Sequence, residues 1–182
     1  DLYHPTQALA DIMTVEEEIG TLSGVKSVFI GDGRNNVSRS LMIVTARMGL
    51  HHTVISPDSL RPSTEEIGKF SAMAKANGGS LTITHDPKAI DSSTQVVYTD
   101  VWISMGEEET QQDRLTTLRP YQVTSELIAR APESIFLHCL PAVRGNEMTA
   151  EVIDGPQSRV WDQSENRKHT IKAVMLASLG LA

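Results

Sequence analysis

SVFIGDGRNNVSRSLMIVTARM, residues 27–48, is the stretch that decides the fold. It opens on a short β-branched and aromatic run, breaks at Gly31-Asp32-Gly33-Arg34-Asn35-Asn36, and resumes from Val37 to Met48 with apolar residues at helical spacing. Strand, glycine-bearing loop and helix in that order make half of a parallel crossover unit, because parallel neighbours need a long return connection. The pattern recurs along the chain. Runs at 53–56, 81–84, 96–99, 135–138 and 159–161 are short and mostly apolar, as strands covered on both faces are. With 27–30 they predict an open, mainly parallel α/β sheet with helices on both faces.

Helical segments surround this unit. Pro5 suits a first helical turn, and Leu9, Ile12, Met13 and Ile19 recur on one stripe until Gly20. At 63–76, Ser63-Thr64-Glu65-Glu66 has capping-box spacing and Asn77-Gly78-Gly79 marks the end. Asp162 and Glu165 give an acidic start to a last helix over about 163–179. Its residues Ile171, Val174, Met175 and Leu179 share a face that needs a partner, one this chain does not obviously supply.

Length and composition narrow the function classes. A chain of 182 residues, 40% hydrophobic and 21% charged, builds one substantial soluble core. Its net charge of -7, with 16 Lys and Arg scattered among acids, argues against nucleic acid and mildly favours a small cationic substrate. Cys139 stands alone, so no intrachain disulfide forms and a reducing, cytoplasmic compartment is expected. No apolar run approaches the roughly 20 residues that span a bilayer, so no membrane partner is expected. The chain opens without Met on His4-Pro5-Thr6-Gln7, which predicts a fragment, a processed form or a preceding leader.

In open α/β sheets ligands bind beyond the carboxyl ends of the strands, so the chemistry should lie in the loops there. Four are rich in polar groups: 31–36, 100–106, 138–141 and 162–167. Gly31-x-Gly33 invites a dinucleotide reading, but Asn36 stands where the third glycine belongs, and a simple turn accounts for the pair. His138 and Cys139 are adjacent and, on a strand, point to opposite faces, so this His does not serve this Cys as a base. His4, His51, His52 and His85 show no metal-ligand spacing. Pro5 restrains His4 to an extended conformation and Gln7 falls one turn on, so both side chains can face one mouth; helix capping explains the same spacing.

In order along the chain, His4-Pro5-Thr6-Gln7, Gly31 to Asn36, Asp100-Val101-Trp102-Ile103-Ser104-Met105-Gly106, His138-Cys139-Leu140-Pro141 and Glu165-Asn166-Arg167 resemble the ornithine carbamoyltransferases. Ser104-Met105-Gly106 is the element that separates these from aspartate, putrescine and N-acetylornithine relatives. The resemblance implies the second domain of the aspartate/ornithine carbamoyltransferase fold, which is Rossmann-like. It also implies an enzyme of arginine metabolism, in which the δ-amine of L-ornithine attacks carbamoyl phosphate to give L-citrulline and phosphate, with no metal or cofactor.

Carried onto this sequence, the resemblance gives His4, Cys139 and Arg167 catalytic roles. His4, Pro5, Thr6, Gln7, Cys139, Leu140 and Arg167 would bind carbamoyl phosphate, with His4 and Arg167 on the carbamoyl oxygen and Gln7 on its amine. Asn36, Asp100, Ser104 and Met105 would bind ornithine, Asp100 and Ser104 taking the α-ammonium. Cys139 would orient the δ-amine without becoming a covalent nucleophile, and Leu140-Pro141 would be a cis peptide. The family's Ser-x-Arg-Thr-Arg phosphate-binding segment is not in this chain. The implied organisation is therefore an interdomain helix at 1–20, an ornithine-binding domain at 21–162 and a helix at 163–182 that packs on a separate amino-terminal carbamoyl-phosphate domain, within a homotrimer. Two rivals remain: a non-catalytic amino-acid-binding or association module, and a nicotinamide dehydrogenase.

Overall fold

The computed structural model describes residues 2–103 and 111–181. Helix α1 (Pro5–Ile19) begins with proline in its first turn and stops at Gly20, whose φ of 83° is the left-handed cap that glycine adopts freely. The chain then alternates strand and helix: β1 (Lys26–Ile30), α2 (Asn36–Met48), β2 (His51–Ile55), α3 (Thr64–Ala76), β3 (Ser80–Thr84) and β4 (Val96–Thr99). Three shorter helices follow around the last strand: α4 (Gln111–Leu118), α5 (Ser125–Ile128), β5 (Ile135–His138) and α6 (Ala150–Ile153). The long α7 (Val160–Ser178) completes the order. No helix among the described residues is long and apolar enough to cross a membrane.

The five strands pair in parallel in the order β3-β2-β1-β4-β5. Successive side chains go to opposite faces. Phe29, Val54, Tyr98 and Leu137 pack with Ile12 and Val15 of α1, Leu41 and Met42 of α2 and Phe70 of α3. Val28, Ile30, Val97 and Phe136 pack on the other face with Ile128, Val152, Ile153 and Val160. The expected sheet with helices on both faces is therefore the one observed. The α3 start follows the expected capping box: Ser63 accepts from the Glu66 N–H, and the Glu66 carboxylate accepts from the Ser63 N–H at 3.0 Å.

The strand expected at 159–161 does not form. Ser158 makes a single bridge with Phe136, the Arg159 N–H donates to the Phe136 carbonyl at 2.9 Å, and α7 starts at once with Val160. Val160 is fully buried and Trp161 is 59% exposed, so the apolar pair that reads as strand is the first turn of a helix with one side in and one side out. Nor is every strand covered on both faces: at the sheet edge, Ser80 and Thr82 of β3 are exposed.

Candidate functional site

The strand order reverses between β1 and β4, and at such a switch point the loops leaving the two strands part to form a crevice. Gly31 leaves β1 with φ 144°, and at Gly33 a Cβ would lie 2.8 Å from Pro62 Cδ, so both glycines answer to local geometry. Asp32 holds the loop: its carboxylate accepts from the Arg34 N–H at 2.9 Å and from Arg114 Nη2 at 2.9 Å. Asn35 then caps α2, its Oδ1 accepting from the Ser38 N–H at 2.7 Å. Its other end crosses the crevice, Nδ2 donating to Asp100 Oδ2 at 3.0 Å.

Asp100 follows β4 and is buried. Its Oδ1 accepts from the Val101 N–H at 2.7 Å and from the Cys139 thiol at 2.8 Å. A carboxylate offers about four acceptor positions, so three protein donors leave room for one more. Burial pushes this carboxyl above its ordinary pKa, against the opposing pull of the Cys139 hydrogen bond and nearby His138. Burial also pushes the Cys139 thiol well up, reinforced by the negative charge of Asp100. Cys139 is thus a protonated donor at neutral pH, which suits orienting a neighbour and does not suit nucleophilic attack.

Beyond Cys139, Leu140 adopts φ 54° and joins Pro141 through a cis peptide, as the resemblance implied. The Leu140 N–H donates to His138 Nδ1 at 2.9 Å, and His138 Nε2 lies 3.3 Å from buried Glu147. Glu147 accepts from the Val143 N–H at 2.6 Å, which ties it to this turn. Asp100, His138 and Cys139 bring their donor atoms within 4.8 Å of one another, the spacing of a metal group. Each already has a protein partner: His138 Nδ1 accepts from Leu140, Cys139 donates to Asp100, and Asp100 accepts from three donors.

Helices α1 and α7 supply the other wall. His4 precedes α1, and its N–H donates to Ser40 Oγ at 2.7 Å. The imidazole makes no capping bond, which leaves it free for other work. Its pKa lies below the ordinary value because of burial and then the charge of Arg167, with Asp100 opposing. Neutral His4 therefore sits in the combined field of Arg167 and Asp100. One turn along, Gln7 is 1% exposed and its Nε2 donates to Asp11 Oδ1 at 2.8 Å, while Gln7 Oε1 is buried without a partner. On α7, Arg167 follows Gln163 by four residues on the same face, and its buried Nε is also unpartnered. An unmatched buried polar atom costs about 1–3 kcal/mol, and Gln7 Oε1 and Arg167 Nε leave one acceptor and one donor of this kind on adjoining helices.

The structure thus gathers His4, Gln7, Arg167, Asp100, Cys139 and Leu140 along one edge of the sheet. Pro5 is exposed and Thr6 half-buried in the first turn of α1. Asn36 opens α2 half-buried, and its carbonyl accepts from Ser40 Oγ at 2.8 Å. Ser104 and Met105 lie outside the described residues. Sequence reading gave a ligand to Asn36 of the Asn35-Asn36 pair and passed over the bond that Asn35 makes to Asp100. It also passed over Asp11, an acid among the apolar residues of α1, and over Gln163, Tyr98 and Glu147, for which no local pattern gives a signal.

A parallel sheet whose switch-point crevice brings Asp100 and Cys139 together opposite His4 and Arg167 defines an open α/β domain with a polar ligand crevice. Residues 23–178 match the family model described as aspartate/ornithine carbamoyltransferase, Asp/Orn binding domain, and the chain belongs to that family. Among its relatives, the ornithine carbamoyltransferase of Caldanaerobacter subterraneus subsp. tengcongensis is 54% identical over 181 residues, 98% of this chain and 58% of that protein. The solved ornithine carbamoyltransferase of Pyrococcus furiosus superposes with a TM-score of 0.91 at 48% identity, over 97% of this chain and 56% of that one. A solved N-acetyl-L-ornithine transcarbamylase gives 0.85 at 28% identity, over 97% of this chain and 56% of that one. The chain spans about 58% of the length of the curated relatives it matches.

Proposed function

We propose that this chain is the L-ornithine-binding half of an ornithine carbamoyltransferase and supplies one wall of the site where the carbamoyl group passes from carbamoyl phosphate to the δ-amine of L-ornithine. The observation that carries the reading is the unmatched pair, Gln7 Oε1 and Arg167 Nε. A carbamoyl group, like any primary carboxamide, presents an NH2 to the first and a carbonyl oxygen to the second. As the amine attacks, negative charge grows on that oxygen. Arg167 and the neutral imidazole of His4 stabilise it there, which is the task of an oxyanion hole.

Ornithine enters from the Asp100 side. The remaining acceptor position of Asp100 takes the α-ammonium by a charge-assisted bond, while Ser104, Met105 and Asn36 complete recognition of the α-amino acid. The Cys139 thiol and the Leu140 carbonyl lie toward the reacting amine, which must be deprotonated to attack, so turnover rises with pH through its titration. The half missing from this reading is the phosphate grip, assigned to an amino-terminal domain joined to this chain through the 1–20 helix and to the 163–182 helix. A homotrimer is the corresponding assembly.

The test is citrulline formation from carbamoyl phosphate and L-ornithine, assayed for the 182-residue chain and for the same chain joined to such an amino-terminal domain. Positioning supplies on the order of 7 to 11 kcal/mol of a barrier, so the chain alone should show no turnover above background and the joined protein should be active with ornithine. Activity with aspartate or putrescine instead would overturn the substrate assignment. The second reading, a non-catalytic association module, is favoured by the exposed apolar end of α7 and requires the joined protein to be inactive.

A further inference from the structure

We infer that Asp11 is a positioning residue for the carbamoyl group: it fixes the orientation of the Gln7 carboxamide, so that the amide oxygen and not the amide nitrogen faces the substrate. This rests on reading Gln7 as the partner of the carbamoyl amine. A glutamine amide is nearly symmetric in shape, and its two ends differ only in whether they donate or accept. An amide free to turn would present the wrong end to an NH2 much of the time. Something must therefore choose, and Asp11 is placed to do it.

Asp11 is 1% exposed on α1, one turn beyond Gln7. Its Oδ1 accepts from three donors on three different elements: Gln7 Nε2 at 2.8 Å, Gln163 Nε2 of α7 at 2.6 Å and the Tyr98 hydroxyl of β4 at 3.3 Å. A carboxylate has no hydrogen to give, so the Gln7 atom facing it has to be the NH2, which turns Oε1 away from Asp11 and leaves it unmatched. Gln163 is fixed by the same logic, because its Oε1 accepts from the His138 N–H at 2.9 Å and only its NH2 remains for Asp11. Asp11 thus sits at the junction of α1, α7, β4 and the strand end that leads into Cys139 and Leu140.

The arrangement also tolerates proton uptake. Burial holds the Asp11 carboxyl up at about 7, and Oδ2 has no partner. A proton on Oδ2 leaves Oδ1 an acceptor for all three donors. Asn in place of Asp keeps that oxygen and its geometry, whereas Ala removes it. Orientation and charge are therefore separable by substitution.

The experiment compares Asp11→Asn and Asp11→Ala in the full-length enzyme with both substrates varied. Asp11→Ala should raise the carbamoyl phosphate KM and lower kcat, each by about tenfold, with the ornithine KM within about twofold. Asp11→Asn should restore both to within about threefold of the parent. Unchanged kinetics for Asp11→Ala, or a rise in both KM values together, would overturn the proposal, since a purely structural residue loosens both sites alike. Because Asp11→Ala could fail to fold, a neutron map of the unsubstituted enzyme gives an independent arm. Deuterons on the Gln7 atom facing Asp11 support the assignment, and deuterons on the opposite atom overturn it. Failure of the underlying reading shows separately: carbamoyl phosphate would then leave the Gln7 side-chain amide resonance of the parent enzyme unmoved.

Discussion

The first turns of α7 bury polar residues, and its last turns expose apolar ones. Near the start, polar Gln163 and Asn166 are 0% and 6% exposed, while near the end apolar Val174, Met175 and Leu179 are 39%, 61% and 70% exposed. The polar end is matched bond by bond with α1: Asn166 Nδ2 donates to Thr14 Oγ1 at 3.0 Å and to Glu17 at 2.6 Å, and Gln163 donates to Asp11. Directional bonds fix the register and rotation of two helices in a way that apolar packing alone does not. Gln7 and Arg167, the residues proposed to meet the carbamoyl group, stand on the two helices that this seam joins. The apolar end has no such partner among the described residues, and a contiguous exposed apolar face is the mark of a surface that meets another body. One helix therefore carries a polar, buried seam at one end and an exposed apolar face at the other.

Three substitutions break or sharpen the contrast. The largest effect is expected at the polar end. On the proposed reading, Arg167→Leu in the chain joined to a carbamoyl-phosphate domain removes a donor to the carbamoyl oxygen and should lower kcat by about 10²–10³ with little change in ornithine KM. Steady-state citrulline assays check this, and a loss under tenfold would take Arg167 out of the reacting centre.

Next in size is the pH response of Asp11. Its folded-state pKa of about 7 lies above the ordinary 3.8, so the folded chain binds a proton that the unfolded chain has released between those values. The stability this group contributes is present below about pH 4 and is lost as pH rises through 7. Asp11→Asn does not titrate and should gain on the parent by up to about 4 kcal/mol between pH 4 and pH 8. Buried His52, held down at about 4, acts in the opposite direction, losing stability as pH falls from 6.5, but it is common to both proteins and cancels. Paired denaturant titrations would show the effect; a constant difference across the range would mean that Asp11 is ionised when folded.

The smallest effect is expected at the apolar end. Met175→Lys lies on the exposed face and should change folding stability by no more than about 0.5 kcal/mol. It should nevertheless reduce self-association of the isolated chain, measured by sedimentation velocity. Equal association of both proteins would remove this face as the interface.

The parts of the molecule that local rules govern were legible in the sequence. Residues 27–48 gave strand, loop and helix, and Ser63 with Glu66 gave a cap that forms as expected. At 159–161 local reading failed, because two adjacent apolar residues fit a strand or a helix start, and burial of Val160 on the far face of the sheet decided between them. The motif-bearing residues His4, Gln7, Asp100, Cys139 and Arg167 do come together. What holds them did not show, because the bonds from Asp11 to Tyr98 and Gln163 span 87 and 152 residues. No local period encodes a contact of that range. The bond that Asn35 makes across the crevice to Asp100 was hidden for the same reason, since it spans 65 residues.

The ornithine assignment turns on Asp100, and Asp100→Asn kinetics in the full-length enzyme, with both substrates varied, test it most directly. A charge-assisted bond is worth about 1.5 to 3 kcal/mol, so the ornithine KM should rise roughly ten- to a hundredfold while the carbamoyl phosphate KM stays within about twofold. An ornithine KM that held steady while the carbamoyl phosphate KM rose would contradict the account and move ornithine away from the crevice between β1 and β4.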